Sequence, residues 1–236
     1  MIRTSLNGGT LLTFAPPLAL PDEIRASLLD KWDAANEDGE VDDLIKEAEA
    51  LACPKAFFRP ASVDGWDENG VSLSGVRFEG TLLSEKLRPH FESGEEVCLY
   101  TATCGRELHE WAAACPDILL RSAAEDLCVA YLRLALGTMR DLIAEEFFGG
   151  KHFSAMNPGS LPSWNLRGQK PMFAFLGEGA EKCGVTLTDS FLMVPFKSSS
   201  GLYFASEHNF ESCMFCDKLT CPNRRAPYLM DKPAAE

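Results

Sequence analysis

Hydrophobic and polar positions change rhythm several times along the chain. PDEIRASLLDKWDAA, from Pro21, sets Ile24, Leu28 and Leu29 at helical spacing behind a proline and an acidic first turn, which predicts a helix. VDDLIKEAEAL, from Val41, repeats that pattern after the acidic, glycine-containing linker NEDGE. From Ala56 the texture alternates: AFFRPASV and VSLSGVRF, with the turn-rich DGWDENG between them, predict short strands. LLSEKLRPHF from Leu82 predicts a helix, EVCLYTATCG from Glu96 a buried strand ending at Gly105, and RELHEWAAAC the helix after it. The longest helical pattern starts at Pro116, and Leu120, Ala124, Leu127, Tyr131, Leu134 and Thr138 share a face that belongs in a core. It ends at Gly149-Gly150.

SAMNPGSLPSW is too rich in proline, glycine, asparagine and serine for a regular element, so it predicts a loop able to carry a site. A helix near RGQKPMFAFLG follows, and GVTLTDSFLMVPFKSSSGLYFAS then predicts two or three strands separated by turns. Because helices and strands do not alternate regularly, the expected class is α+β with a mainly antiparallel sheet and flanking helices. Gly177 and Gly179 begin a G-x-G, but Lys182 replaces the third glycine of a dinucleotide fingerprint. FKSSSG lacks the leading glycines of a phosphate loop.

Composition narrows the partners. The 236 residues carry a net charge of −13, which disfavours nucleic acid. No apolar run approaches the roughly 20 residues of a membrane span, and LLTFAPPLALP from Leu11, broken by Pro16 and Pro17, reads as a structured entry arm, with a signal peptide as the alternative. Nine cysteines without a secretion signal point to a reducing, cytoplasmic setting in which clustered thiols hold metals or do redox chemistry.

Three of them, Cys213, Cys216 and Cys221, fall in a C-x2-C-x4-C spacing within ESCMFCDKLTCPNRR. Three local thiolates and one remote ligand suit a 4Fe-4S cluster, and the same set suits tetrahedral zinc. Pro222 after the third cysteine is a further mild pointer to a cluster. For the fourth ligand, Cys104 is the first choice, because it ends a strand and opens a helix whose N-terminus would stabilise a thiolate. Cys53, Cys115, Cys183 and His208 remain alternatives, whereas Cys98 and Cys128 read as small buried hydrophobes. Arg224 and Arg225 read as a solvated basic pair, or as charges that neutralise a cluster. Glu107, His109 and Glu110 read as a solvated helix face rather than an acid–base set.

ATCGRELHEW at Ala102, NPGSLPSW at Asn157 with Gln169 after it, and CGVTLTDSFLMVPFKSSSG at Cys183 together resemble the activation domain of cobalamin-dependent methionine synthase. They are closer still to its free-standing, cysteine-containing relatives in anaerobes. The resemblance runs from about Pro21 to Tyr228. It implies a helmet-like α+β fold and a role in corrinoid reactivation beside a corrinoid-binding protein or methyltransferase, where the methyl group of S-adenosylmethionine restores methylcobalamin as cob(II)alamin is reduced. It also implies cofactor contacts from Asn157, Gly159 and Ser160, and from Lys197, Ser198 and Ser200 of the Lys-Ser-x-Ser-Gly stretch.

Two departures modify that reading. The family's Arg-x-x-x-Gly-Tyr loop here reads Ala155 to Ser160, keeping Gly159 but neither the arginine nor the tyrosine, which counts against S-adenosylmethionine. The three tail cysteines are a gain on the methionine synthase domain. The expected organisation is an N-terminal arm over 1–75, an activation-domain-like core over 76–205 and a cysteine-rich metal-binding tail over 206–236. The expected function is an iron–sulfur activator or redox partner of a corrinoid protein. The alternatives are a reductive-methylation domain that binds S-adenosylmethionine, or a zinc-stabilised corrinoid- or protein-binding module.

Overall fold

The structure, a computed structural model, describes residues 1–36, 38–207, 210–221, 224 and 226–229. His208, Pro222 and Arg225 therefore lie outside the described residues. The chain divides into two compact units. The first comprises Met1–Arg59, Tyr100–Leu142 and Leu176–Ser199; the second comprises Pro60–Leu99, Ile143–Phe175 and Ser200–Glu236.

In chain order the strands and helices are β1 (Ile2–Leu6), β2 (Gly9–Thr13), α1 (Asp22–Lys31), α2 (Glu40–Leu51), β3 (Lys55–Asp67), β4 (Gly70–Leu73) and β5 (Val76–Glu79). These are followed by α3 (Thr81–Ser93), β6 (Glu96–Thr103), α4 (Arg106–Ala114), α5 (Ile118–Glu146) and β7 (Phe153–Met156). The last elements are α6 (Gln169–Leu176), α7 (Glu178–Cys183), β8 (Thr186–Leu187), β9 (Met193–Val194) and β10 (Ser198–Ala205). The main sheet runs β1-β2-β3-β6-β10-β7, with β4 and β5 extending from β3, while β8 and β9 pair separately. Antiparallel pairing joins β1 to β2, β2 to β3 and β10 to β7, the last with Leu202 opposite Met156. This is the expected α+β class. No helix among the described residues is long and apolar enough to cross a membrane.

In the first unit, β1 and β2 form a hairpin whose turn, Asn7-Gly8, has φ of 48° and 77° at its two residues, a left-handed pair that Asn-Gly tolerates best. The orphan N–H groups of Val41 and Asp42 at the start of α2 donate to the Asn36 side chain at 3.0 and 3.3 Å. The core gathers Leu20, Ile45, Leu108, Leu127 and Tyr131, and the Tyr131 hydroxyl donates to Leu18 O at 2.7 Å. The buried stripe of α5 differs from the expected one. Ala124, Leu127 and Tyr131 are buried as expected, but Ala135, Met139 and Ile143 continue the stripe while Leu134 and Thr138 are half-buried. Thr138 instead donates its hydroxyl to Leu134 O at 3.0 Å, the bond a mid-helix threonine makes when its side chain is not in the core.

In the second unit α3 packs on β4, and aromatic rings fill the interior. His90 of α3 meets the Phe204 ring edge-on at 5.8 Å, and Phe204 in turn lies 6.1 Å from Phe210. Phe153 stacks on Phe148 at 4.8 Å and meets Tyr203 edge-on.

Candidate functional site

The loop after β7 is held by its own polar side chains. Asn157 Nδ2 donates to Ser200 O at 2.7 Å, tying the loop to β10. Ser200 donates its hydroxyl to Gln169 Oε1 at 2.8 Å, and both residues are only 3% exposed. Within the loop, Gly159 N donates to Trp164 O at 2.8 Å and Ser160 N to Asn157 O at 3.2 Å. Gly159 has φ of 82° and a Cβ there would stand 2.9 Å from Leu166 Cδ1, so the backbone itself calls for glycine at this position. Trp164 is buried, and its indole N–H has no partner among the described residues.

A cavity of about 350 Å³ lies beside this loop, lined by Thr81, Leu82 and Glu85 of α3, by Leu161, Pro162 and Ser163, and by Phe215 from the tail. Phe210 N donates to Ser154 Oγ at 3.0 Å, and the Phe210 ring stacks on Phe215 at 5.7 Å. The tail is thus seated against the loop's side of the second unit.

The cysteine turn itself is organised by Arg224. Its Nη1 donates to Cys213 O at 2.5 Å and to Ala226 O at 3.1 Å, while its Nη2 donates to Cys216 O at 2.6 Å and to Lys218 O at 3.0 Å. The expectation of a solvated basic pair is therefore corrected for Arg224, which is half-buried at the centre of the turn. Leu229 N closes the segment by donating to Met214 O at 2.9 Å.

The remaining sequence candidates belong to the first unit. Ser198 donates its hydroxyl to Pro195 O at 2.7 Å and lies 2.9 Å from Thr103 Oγ1, and Lys197 pairs with Glu125 at 3.2 Å. Cys104 N donates to Lys197 O at 3.0 Å, so two of the motif segments meet at this turn. Cys104 does stand between strand and helix, but its side chain is fully buried beside Cys128 in the apolar core. A hydrogen bond with the Cys128 thiol, reinforced by burial, pushes the Cys104 thiol far above the ordinary range, the opposite of the stabilised thiolate expected. Cys183 ends α7 rather than beginning a strand, and burial pushes its thiol up to about 12. Glu107 and Glu110 are exposed, as a solvated helix face requires.

None of the nine cysteines is joined in a disulfide. Among the described residues no three histidine, cysteine, aspartate or glutamate side chains come together in a way that could hold a metal ion. In the tail Arg224 engages the backbone carbonyls of Cys213 and Cys216 rather than their sulfurs. Sequence reasoning missed two participants, Phe215 as a cavity wall and Arg224 as the hub of the turn. The first had no signal beyond its place between two cysteines; the second was visible only as a basic residue near them.

Residues 131–215 match the sequence profile of the vitamin B12 dependent methionine synthase, activation domain. Cys216, Cys221 and Arg224 fall beyond that span. The structure resembles the crystal structure of the MetH reactivation domain bound to AdoHcy, with a TM-score of 0.60 and 14% identity over 85% of this chain and 80% of that one. No curated protein matches the sequence. The segment from the middle of α5 to the cysteine turn is thus similar in sequence to the activation domain of vitamin B12 dependent methionine synthase, and the chain as a whole has a fold like that of the MetH reactivation domain.

Proposed function

We propose that the protein is an activation module for a corrinoid-bearing partner, a corrinoid-binding protein or methyltransferase, and that it supports the return of cob(II)alamin to the active cycle. The observation that carries this reading is the activation-domain match across residues 131–215, which includes the braced loop of Asn157, Gly159 and Ser160. The corrinoid belongs to the partner. This chain's part is to present a surface and a preformed loop, which Asn157 and the Ser200–Gln169 pair keep in place. Nine cysteines, three of them clustered in the tail, fit a reducing, cytoplasmic setting. The net charge of −13 argues for a protein rather than a nucleic-acid partner. Sedimentation of the chain with a cobalamin-loaded fragment of a cobalamin-dependent methionine synthase tests this; a complex is expected, and independent sedimentation at tens of micromolar of each would refute it.

A second reading gives the loop S-adenosylmethionine, and the solved neighbour's AdoHcy favours it. The loop from Ala155 to Ser160 brings no arginine to a ligand carboxylate, and the Asn157 amide is already engaged with Ser200 O. Calorimetry with S-adenosylmethionine separates the two: the loop as described predicts no saturable heat at millimolar ligand.

A 4Fe-4S cluster or a zinc ion on Cys213, Cys216 and Cys221, with Cys104 as fourth ligand, is favoured by the C-x2-C-x4-C spacing alone. The burial of Cys104 in the apolar core speaks against it as the fourth ligand, so no electron-transfer step is assigned to it. Elemental analysis after anaerobic purification tests it directly. Iron near four equivalents, the content of such a cluster, would restore the redox reading.

A further inference from the structure

We propose that Cys213 and Cys216 form a reversible dithiol–disulfide couple, held in register by Arg224 and linked through Phe215 to the wall of the cavity beside the loop. The couple involves only the protein's own thiols and does not rest on the corrinoid reading.

The backbone places the two cysteines at the ends of one tight turn. Phe215 N donates to Ser212 O at 3.1 Å and Cys216 N to Cys213 O at 3.4 Å. Such an i to i+3 closure brings the first and last Cα atoms within about 7 Å. A disulfide spans about 4.4–6.8 Å between Cα atoms, so the turn is already close to the bonded geometry. Arg224 adds a second constraint. The two arms of its planar guanidinium hold the carbonyls of Cys213 and Cys216, fixing their separation through one rigid group. Cys221 O accepts instead from the backbone N–H of Arg224, at 3.1 Å, outside that fork.

Access distinguishes this pair from the core thiols. Cys98, Cys104, Cys128 and Cys183 are buried, whereas Cys213 and Cys216 are partly exposed. A low-molecular-weight disulfide can reach them. One cysteine thiolate attacks a sulfur of RSSR and expels one thiolate, and the second cysteine then attacks the mixed disulfide and expels the other. Two protein thiols are oxidised, one external disulfide is reduced to two RSH, and the two cysteine protons end on the expelled thiolates. Phe215 lies between the two sulfurs in sequence and also lines the cavity, so the thiol state sets the position of that wall.

The full chain, equilibrated in glutathione redox buffers, alkylated and mapped by peptide mass, tests the proposal. One Cys213–Cys216 disulfide is expected, retained in Cys221→Ala and absent in Cys216→Ser. Arg224→Lys, which cannot grip two carbonyls with one rigid fork, should lower the equilibrium constant for ring closure about tenfold. In Phe215→Trp, emission should differ between the oxidised and reduced forms, and the difference should vanish when Cys216→Ser is added. A glutathione adduct that never closes, pairing through Cys221, or thiols shielded by bound metal until a chelator is added would each overturn the couple. Unchanged Phe215→Trp emission would overturn its link to the cavity.

Discussion

Replacing Ser200 by alanine removes a hydroxyl that is buried together with its partner. Ser200 and Gln169 are each 3% exposed and joined at 2.8 Å, so the variant leaves the Gln169 carbonyl without its donor in a place water does not reach. An ordinary neutral hydrogen bond contributes only about 1 kcal/mol net, but a buried polar group left unpaired costs about 1–3 kcal/mol. A central 2 kcal/mol corresponds to a fall in Tm of roughly 4–8 °C for a chain of this size. Gln169→Met should cost a similar amount, now by orphaning the Ser200 hydroxyl. The double variant, with no polar group left to satisfy, should be far less unstable than the sum, giving a coupling of about 1–2 kcal/mol. Because Asn157 grips the Ser200 carbonyl rather than its side chain, the loop should keep its seat in Ser200→Ala. Differential scanning fluorimetry with urea titration measures all three variants. If the two single losses add in full in the double variant, the pair is not bonded in the folded protein and the description of the loop is wrong.

Burial holds the His90 imidazole below its ordinary value of 6.5, so on acidification the unfolded chain takes up that proton first and stability falls as pH drops below about 6.5. His90→Leu should flatten that part of the pH–Tm profile, and an unchanged slope would place the acid sensitivity elsewhere. In Gly179→Ala the new Cβ would stand 2.0 Å from the ring of fully buried Phe57, so a loss of about 1–3 kcal/mol is expected from overpacking, read as a lower urea midpoint. Cys104→Ala should cost about 1 kcal/mol as a small core truncation and leave the metal content of anaerobically purified protein unchanged; a loss of metal would return Cys104 to the role of ligand.

Where regular periodicity was long, the elements were legible. The α5 helix, the α1 and α2 patterns and the buried β6 stand where apolar spacing placed them, but β3 runs on through Asp67 into the expected turn and VSLSGVRF is divided into β4 and β5 by a turn at Ser74-Gly75. The first hairpin carries a readable signal in Asn7-Gly8, although the prolines that follow make the segment look irregular. Helix α7 was not readable by period, since six residues are under two turns, and its G-x-G was weighed only as a cofactor motif. In the structure Gly177 makes the turn from α6, and Gly179 leaves room for Phe57. The site divided similarly. The loop around Gly159 was visible from composition and resemblance, whereas the bond by which Asn157 ties it to the Ser200 carbonyl was not. The inward face of Cys104 was not visible, because local sequence shows that a helix begins but not which neighbour covers the thiol. Cys128, which does so, lies 24 residues further along the chain. The hub position of Arg224 depends in the same way on carbonyls that only the folded turn brings together.

The central claim, that this chain acts on a corrinoid partner, is tested most directly by the absorption spectrum of the cobalt. A cobalamin-dependent methionine synthase fragment holding cob(II)alamin should change its spectrum on stoichiometric addition of this chain, and return to the methylated form in the presence of a low-potential reductant and a methyl donor only when the chain is present. A spectrum indifferent to the chain, with recovery equal in its absence, would contradict the account.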